Sequence, residues 1–442
     1  MSKIFKILIF LFVFALSCNS CSSEEILEEV LPKVHDINNP DNYFHDNTLG
    51  KINAVKKAHQ LTDLHFTLVS PIEGNGSRVF EADKDYQGVF YSSVKEIGTY
   101  VGSYVSLHTF MTAIHNPRSK IYTERIDSSP YHGVNCKIYY GIMCSGLVSY
   151  ALGIDYATFD FPISDLMVEV DYNDVDNIDV ADVIVHKTGH VALITDVERD
   201  SAGHVISVEI CEANEPLCKR YYMTAHSFEA AFDFKFESIY RYTELYKNIE
   251  YTPANEFVAV DDETPEPFVY NDDLCADKGD KACYREDEDV VINIMRDYNY
   301  LEIYKDGAFY LRKEATSERD IRLQKLPYGD YSAHICYGDS LTSSESTYWK
   351  VVNMSLTPNR KAGRLYFKSA NAIPYRISFT DLSGSRKYPF TKIFSYTLTD
   401  EDRARGYIEI PENKTNKGFP YIHFFFSSEY GKIQYKILNW FE

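Results

Sequence analysis

The chain has 442 residues, 15% of which are aromatic, and a formal net charge of −20 at pH 7. Such an acidic chain is excluded as a nucleic-acid-binding protein or as a protein held electrostatically at a membrane surface, because both require clustered positive charge. The length allows two or three domains, and the many tyrosines (36) and phenylalanines (27) indicate a globular, secreted protein with β-structure rather than a disordered chain.

The N-terminal residues have the features of a secretory signal peptide. Two lysines precede an apolar segment at residues 7–16, which is too short to span a membrane permanently. The sequence Ala-Leu-Ser-Cys that ends at Cys18 resembles a lipoprotein processing box, so residues 1–21 are predicted to be a signal peptide with its lipobox, and Cys18 the lipidated residue. Cys21 is the alternative acceptor, and an ordinary cleaved signal is the alternative to lipidation. Residues 22–49 are polar and acidic and are predicted to be a tether.

Two helices are predicted between the tether and the central part of the chain. Residues 51–64 have helical character. A second helix is predicted from Val94 to Ile114 because apolar residues recur at helical spacing, and Asn116-Pro117 ends it.

The central feature of the sequence is Cys144, at the predicted start of a further helix. Gly141 provides a turn before it, and apolar residues follow with helical spacing at positions 147, 148, 151 and 152. A thiol in the first turn of a helix faces free backbone N–H groups and the positive end of the helix dipole, which lower its pKa and can bind an oxyanion. A buried structural cysteine is the alternative interpretation of this stretch alone.

A β-hairpin is predicted further along the chain. Two apolar strands within residues 180–197 are joined by a Lys-Thr-Gly turn, and His190 is the first residue of the second strand. On a third strand, at residues 205–213, Glu209 and Glu212 are predicted to lie on opposite faces because side chains alternate. A cysteine that begins a helix, a histidine that begins a strand and a polar residue on the next strand are the parts of a nucleophile, base and orienter array.

Three sequence blocks stand in a fixed order: Cys-Ser-Gly-Leu-Val at 144–148, Ala-Asp-Val-Ile at 181–184 and His-Val-Ala-Leu-Ile at 190–194. Together they resemble the core blocks of the NlpC/P60 cysteine peptidases. The resemblance covers the middle third of the chain. It implies an α+β fold with a papain-like catalytic domain, here assigned to residues 50–250, and cleavage of amide bonds in bacterial cell-wall peptides.

The resemblance also implies roles for individual residues. Cys144 is expected to be the nucleophile and His190 the general base. Glu212, immediately before Ala213, fits the family's third polar residue and is predicted to orient the imidazole, with Glu209 as the alternative. The backbone N–H of Cys144 is expected to form part of the oxyanion hole.

Tyr91, Ser145 and Met143 are further candidates for contacts with the substrate or the oxyanion. The sequence Gly-Val-Phe-Tyr that ends at Tyr91 resembles a Gly-x-x-Tyr element of the family, and a core tyrosine is the alternative. Met143 departs from the family, which has Asp immediately before the nucleophile to hold the polar end of the substrate. Residues 100–135 are interpreted as an insertion that shapes the substrate groove.

No metal and no cofactor is predicted. His186 and His190 have the spacing H-x₃-H, but no cysteine pair precedes them at a zinc-finger distance, and His186 is expected to be exposed. The Asp/Asn-rich run at 171–179 lacks EF-hand spacing and is predicted to be a solvated loop. In an oxidising envelope two disulfides are considered: Cys275–Cys283 and Cys211–Cys218.

The C-terminal part of the chain has a different sequence pattern. Residues 251–289 are predicted to be an acidic linker, since residues 261–289 are rich in acids and include two prolines. Short alternating runs then predict a β domain at 290–353 and, at 354–442, a second β domain or a continuation of the first. These antiparallel β-sandwich-like domains carry no chemical motif, so a binding module and a shield for the active-site groove are both open.

The sequence therefore predicts a cell-envelope cysteine peptidase that hydrolyses amide bonds in peptidoglycan stem peptides by a Cys-His-Glu mechanism. The protein is expected to be exported across the inner membrane and lipid-anchored in the bacterial envelope, at the outer membrane. Peptidoglycan peptides are the expected partners. The alternatives are a noncatalytic, surface-anchored binding lipoprotein and an amidase or acyltransferase on the same scaffold.

Overall fold

The structure is a computed structural model that describes residues 47–73, 79–92, 100–124, 138–154, 166–172, 174–248, 269–381, 392–410 and 421–440. The predicted signal peptide, Cys18, Cys21 and nearly all of the tether lie outside the described residues, as do residues 251–268 of the predicted linker. All described residues belong to one compact unit.

The first part of the described chain contains four helices and two short β-ribbons. The helices are α1 (Thr48–Asp63), α2 (Leu107–His115), α3 (Lys120–Thr123) and α4 (Cys144–Ala151). The antiparallel ribbons are β1 (His65–Thr67) with β4 (Asp85–Gln87), and β2 (Ile72–Glu73) with β3 (Val79–Phe80).

Residues 94–99 of the helix predicted from Val94 lie outside the described residues, and within residues 100–115 helix α2 starts only at Leu107. It begins after Ser106, whose hydroxyl accepts a hydrogen bond from the backbone N–H of Thr109 at 3.0 Å and so satisfies one free donor of the first turn. Before this cap, Tyr100 and Val101 form isolated β-bridges, and Gly102 has a φ of +88° that no α-helix accommodates. Helical periodicity in the sequence therefore extended beyond the helix itself.

A six-stranded antiparallel sheet forms the centre of the region assigned to catalysis. Its strands lie in the order β5-β10-β6-β7-β8-β9. The strands are β5 (Met167–Glu169), β6 (Val183–His186), β7 (Val191–Arg199), β8 (Val205–Ala213), β9 (Cys218–Thr224) and β10 (Phe236–Tyr242), with helix α5 (Ala225–Phe234) between β9 and β10.

The two faces of this sheet belong to different apolar cores. Val191 and Leu193 of β7 pack into the core that contains α1 and α4, whereas Ala192 and Ile194 pack into the core that contains Phe228 of α5. This follows from the alternation of side chains along a strand. The sheet therefore lies between α1 and α4 on one side and α5 on the other.

The C-terminal part consists almost entirely of strands. A three-stranded sheet contains β11 (Leu274–Ala276), β13 (Val290–Ile294) and β16 (Asp320–Leu323). A second sheet contains β12 (Ala282–Arg285), β14 (Tyr300–Lys305), β15 (Ala308–Glu314), β17 (Gly329–Tyr337), β18 (Thr342–Ser343), β19 (Thr347–Asn359), β20 (Arg364–Ala370) and β23 (Tyr407–Glu409). A four-stranded sheet contains β21 (Ile373–Asp381), β22 (Lys392–Thr397), β24 (Tyr421–Ser428) and β25 (Gly431–Asn439), and α6 (Asp400–Arg405) precedes β23.

Two features bear on how the chain is divided. Strand β19 contributes Trp349 and Val351 to one apolar core and Val352 and Met354 to another. This one strand therefore continues across the predicted boundary between the two β domains, at residues 353 and 354. The described end of the acidic segment, residues 269–289, contains β11 and β12. It also contacts helix α2, because the backbone carbonyl of Asp280 accepts a hydrogen bond from the Thr109 hydroxyl at 2.9 Å.

The predicted fold class, an α+β papain-like catalytic domain followed by β-sandwich-like domains, is wrong. The described residues form 25 strands and six α-helices, so the molecule is mostly β. Within residues 50–250 ten strands also outnumber the helices. Within residues 100–114 the helical periodicity suggested more helix than forms, and helix α4, which begins at Cys144, has only 8 residues.

Among the described residues, no helix is both long and apolar enough to cross a membrane. The six cysteines that the structure describes are free, including all four considered for disulfides. Both considered disulfides are therefore absent. For the first pair the reason is that Cys275 lies on β11 and Cys283 on β12, in different sheets.

Candidate active site

Cys144 is the first residue of helix α4, whose residues are all buried. Met143 precedes it in an extended conformation and makes no side-chain cap. The segment before the helix runs beside residues 90–92, with Ile142 N donating to Phe90 O at 2.9 Å and Ser92 N to Ile142 O at 3.0 Å. Gly141 permits this approach, because a Cβ there would lie 2.5 Å from the Ser92 Cβ.

His190 is held by the turn between β6 and β7. The backbone N–H of His186 donates to the carbonyl of His190 at 2.8 Å, and Gly189 completes the turn with a φ of +78°. Val185 pairs with Val191, so His190 lies immediately before β7, and its ring neighbours the Cys144 thiol at the start of α4.

The structure brings Cys144, His190 and Glu212 together. The Cys144 thiol lies close enough to the His190 imidazole to raise its pKa, and His190 Nε2 lies 2.7 Å from Glu212 Oε2. Since Nε2 contacts Glu212, Nδ1 is the nitrogen available to the thiol. The other Glu212 oxygen, Oε1, lies 3.2 Å from Lys219 Nζ. Cys144 is 8% exposed and Glu212 2% exposed, so the thiol and the carboxylate are both largely removed from water.

The pKa shifts of the three groups describe an ion pair. Burial alone raises the pKa of Cys144, but the hydrogen bond and charge of His190 outweigh burial and lower it. Burial lowers the pKa of His190, but its hydrogen bonds to Cys144 and Glu212 raise it to about 9. Burial raises the pKa of Glu212, and His190 and Lys219 reverse this and lower it to about 2. The arrangement therefore favours an imidazolium and a carboxylate near neutral pH, and it shifts the thiol toward the thiolate.

Glu209, the alternative orienter, contacts a different histidine. Its Oε2 lies 2.8 Å from His59 Nε2 on helix α1 and accepts a hydrogen bond from Thr195 Oγ1 at 2.9 Å. Arg220 Nη1 donates to its other oxygen at 3.0 Å. Glu209 thus ties α1 to the sheet and makes no hydrogen bond to His190.

The remaining candidates lie around the same helix start. The backbone N–H groups of Ser145 and Val191 contact the Cys144 sulfur, whereas the Ser145 hydroxyl is buried without a hydrogen-bond partner. The Met143 sulfur lies 2.9 Å from the Tyr100 hydroxyl, which donates to it. Tyr91 forms a parallel bridge with Ile142 and packs, half-buried, against the core that contains α4.

Sequence reasoning missed two residues of this region. His186 is 3% exposed, so the expectation that it is exposed is wrong, and its ring stands edge-on to the ring of His190 with centroids 4.7 Å apart. The H-x₃-H spacing across a tight turn was the signal that pointed to it. Tyr100, interpreted only as the start of an insertion, contacts Met143, and nothing in the sequence indicated this contact.

Within the described part of the chain, three groups of side chains have metal-ligand types within 4.8 Å of one another. One group, His186, His190 and Glu212, overlaps the candidate active site. The other two are His59, Glu209 and Cys211, and Glu302, His334 and Cys336.

No family model and no curated protein matches the chain. Among solved structures, fibronectin(III)-like modules of CbhA from Clostridium thermocellum are similar over 36% of this chain and 88% of theirs, with 11% identity and a TM-score of 0.17. The CD2-binding domain of CD58 is similar over 36% of this chain and 96% of its own, with 7% identity and a TM-score of 0.16. Dimeric latent PorU from Porphyromonas gingivalis is similar over 62% of this chain and 29% of its own, with 12% identity and a TM-score of 0.15. Scores this low define neither the fold nor the function of the chain.

Proposed function

We propose that the protein is a cysteine hydrolase that cleaves amide bonds, with Cys144 as nucleophile, His190 as general base and Glu212 as the residue that orients the imidazole. The observation that carries the proposal is that the thiol at the start of α4 neighbours His190, whose Nε2 is hydrogen-bonded to the buried Glu212. Buried free cysteines are common in protein cores, but a thiol paired with a histidine at the start of a helix is an activated nucleophile.

The proposed reaction is acyl transfer to water. The Cys144 thiolate attacks the substrate carbonyl, and the free N–H groups at the start of α4 stabilise the oxyanion. As the C–N bond breaks, the imidazolium of His190 gives its proton to the leaving amine and a thioester remains on Cys144. His190 then takes a proton from water, whose oxygen attacks the thioester, and the thioester breaks to release the acid and restore the thiolate.

Glu212 supports both steps without touching the substrate. Its carboxylate accepts the hydrogen bond from His190 Nε2, which fixes the ring and leaves Nδ1 toward the sulfur. Its charge also stabilises the imidazolium that precedes the first proton transfer. Lys219 pairs with Oε1 and partly balances this charge at the edge of the site.

The proposed substrates are peptidoglycan stem peptides. Two features of the sequence support this choice: the order of the three NlpC/P60-like blocks, and an N-terminal segment that resembles a lipoprotein signal with Cys18 as the lipidated residue. Export and a lipid anchor, at the outer membrane, would bring the enzyme to the cell wall. One observation favours a second candidate, an amidase or acyltransferase, because position 143 beside the nucleophile holds a methionine that contacts Tyr100 and offers no carboxylate to a cationic substrate end.

Two measurements test the proposal. Iodoacetamide at mildly acidic pH should label Cys144 and spare Cys283, whose thiol is also partly accessible but has a pKa that burial raises to about 11. Mass analysis of soluble peptidoglycan fragments should then show new cleavage products with the wild-type protein and none with Cys144→Ala. Labelling without any cleavage would favour the acyltransferase, and no selective labelling of Cys144 would favour a noncatalytic binding lipoprotein.

A further inference from the structure

His186 is a buried histidine with no assigned task. It is 3% exposed, and its Nε2 is buried without a hydrogen-bond partner. A buried polar atom without a partner loses the hydrogen bonds that it would make in water, so it is costly unless a ligand occupies it. Its ring packs against His190 and Phe236, with centroid separations of 4.7 Å and 5.0 Å. The orphaned nitrogen therefore lies next to the general base.

The backbone fixes the two histidines relative to each other. His186 N donates to His190 O at 2.8 Å, and Gly189 N donates to His186 O at 2.8 Å, so both rings project from one tight turn. One ring nitrogen of His186, one of His190 and a carboxylate oxygen of Glu212 lie within 4.8 Å of one another. Tetrahedral zinc with bonds of about 2.0–2.1 Å needs donor separations of about 3.3 Å, which modest side-chain rotations supply.

We propose that His186, His190 and Glu212 form a binding site for Zn²⁺ that reversibly inhibits the enzyme. Two imidazoles and a carboxylate are a ligand set that zinc accepts, and the fourth position would hold water. The binding site stands on its own geometry; only the inhibitory consequence rests on the proposed hydrolase function.

Zinc at this position would take the place of one proton. In the metal-free protein that proton joins His190 Nε2 and Glu212 Oε2, which are 2.7 Å apart. On binding, the proton passes to solvent, both atoms turn to the metal, and their separation widens. His190 could then no longer turn its ring or accept protons as the reaction requires, so hydrolysis would stop until the metal leaves.

The charges around the cluster act in both directions. Lys219 pairs with Glu212 Oε1 at 3.2 Å, and the positive charge of Lys235 also acts on His186. The positive charges of Lys219 and Lys235 both oppose the binding of a cation. Lys219 contacts only Oε1 of Glu212, so Oε2 remains the oxygen that would bind the metal. The carboxylate of Glu212 and the thiolate of Cys144 act in favour of it. We therefore expect a site of moderate affinity, suited to reversible control rather than to a permanent cofactor.

The test uses the full mature chain with the Cys144→Ala substitution, which removes the thiol as a competing ligand. The measurement is metal binding, so it does not depend on enzymatic activity. Zn²⁺ is titrated by calorimetry, and Co²⁺ is used as a spectroscopic probe because its visible absorption reports a four-coordinate site. One ion should bind per chain. His186→Gln and His186→Phe should each weaken zinc binding roughly 100-fold, because a first ligand is lost. His204→Gln, which removes an exposed histidine elsewhere in the same region, should leave the affinity unchanged.

The Phe variant keeps an aromatic ring against His190, so a loss seen with both substitutions cannot be ascribed to collapse of the turn. Zinc binding that is unaffected by either substitution overturns the proposal. So does zinc binding that is absent from the Cys144→Ala chain but present in chains that keep Cys144 and carry either His186 substitution, since the ion would then use the Cys144–His190 pair. Wild-type hydrolysis should fall as zinc is added and return with a chelator. A protein that binds zinc through His186 but hydrolyses nothing would overturn the proposed function and leave the metal site intact.

Discussion

Glu209 and Glu212 lie on one β-strand, yet each carboxylate holds a different histidine. Glu212 contacts His190 at 2.7 Å, beside the nucleophile, and Glu209 contacts His59 at 2.8 Å, on helix α1. Both have a pKa lowered to about 2, so the shift alone does not distinguish an orienting residue from a structural one. Only the position of the histidine makes that distinction.

The two carboxylates should therefore give opposite phenotypes. We expect Glu212→Gln to lower kcat/KM by roughly ten- to a hundredfold, since a charge-assisted hydrogen bond contributes about 1.5–3 kcal/mol, and to change stability less. Glu209→Gln should leave kcat/KM within about threefold and lower the free energy of unfolding by about 1–3 kcal/mol, because buried partners lose a charge. Steady-state kinetics and denaturant unfolding of both variants decide this. A larger loss of activity in Glu209→Gln would contradict the assignment.

The nucleophile is tested by removing only its sulfur. Cys144→Ala should abolish hydrolysis, with a loss of about 10⁴-fold or more, while the far-ultraviolet circular dichroism stays unchanged. His190→Ala should be nearly as damaging. The matched control is Cys283→Ala, a free cysteine of the C-terminal part, which should keep full activity. Normal turnover by Cys144→Ala on any accepted substrate would exclude the cysteine-hydrolase mechanism.

The ion pair predicts a defined pH dependence. The Cys144 pKa is lowered and the His190 pKa is raised to about 9, so the reactive thiolate–imidazolium pair should exist between these two values. Activity should fall at acid pH as the thiolate is protonated, and above about pH 9 as His190 loses its proton. The alkylation rate of Cys144 across the same pH range follows the thiolate alone, so it distinguishes the acid loss of activity from the alkaline loss that depends on His190. In His190→Ala the alkylation profile should move to higher pH, because burial then acts on the thiol without the opposing charge.

The same shift has a consequence for stability. The folded-state pKa of His190, about 9, lies above the unfolded value of 6.5, so the folded state binds the proton more tightly. Its contribution is fully present below pH 6.5 and is lost as the pH rises through 9. The lowered pKa of the Cys144 thiol acts in the opposite direction, because the folded protein releases the thiol proton at a lower pH than the unfolded chain does. The two contributions oppose each other, so the free energy of unfolding of the wild type should change little over this window. Denaturant titrations at the two ends of the window measure the change.

The sequence located the candidate site better than it predicted the fold. Residues 144, 190 and 212 were found because each chemistry requires a local pattern: a helix start, a strand start and a strand face. Alternation along β8 placed Glu209 and Glu212 on opposite faces, and the family resemblance, through Ala213 after Glu212, decided the choice between them. His186 was misjudged because exposure depends on what packs against the turn, here Phe236, which is remote in sequence.

The fold class was wrong for a different reason. Apolar periodicity records which residues become buried, but it does not say how the backbone reaches that state. In residues 100–105, the described stretch before α2, bridges from Tyr100 to Gly141 and from Val101 to Val105 replace the predicted helix. Pairings between distant segments, such as that of β12 with β19, are likewise invisible to a local pattern. Strand content was therefore underestimated.

The lipid anchor is tested independently of the active site. Cys18→Ser should release the mature protein from the membrane fraction, because acyl chains provide the proposed attachment. Fractionation and labelling with a fatty-acid analogue measure this, and Cys21→Ser is the matched control that should stay membrane-bound. Labelling that persists in Cys18→Ser would move the acceptor to Cys21, and no labelling of the wild type would remove the lipoprotein assignment.

The pair formed by Met143 and Tyr100 makes a prediction about the substrate. Met143 is 5% exposed, and its sulfur accepts a hydrogen bond from the Tyr100 hydroxyl beside the nucleophile, so this subsite offers an apolar surface without charge. The wild-type enzyme should therefore cleave N-acylated and free-amine forms of a stem peptide at rates within about tenfold of each other, or about 1.4 kcal/mol.

Met143→Asp should shift this preference toward the free amine by roughly ten- to a hundredfold, because a new carboxylate forms a charge-assisted hydrogen bond of about 1.5–3 kcal/mol with the ammonium group. The Tyr100 hydroxyl, 2.9 Å from the present sulfur, can donate to that carboxylate and hold it in place. Met143→Leu is the matched control and should keep the wild-type ratio, since it preserves the apolar surface. Competition between the two peptides, followed by mass spectrometry, gives the ratio of kcat/KM directly. A strong wild-type preference for the free amine would mean that another acidic residue binds the ammonium group, and residues 100–135 are the first segment in which to seek it.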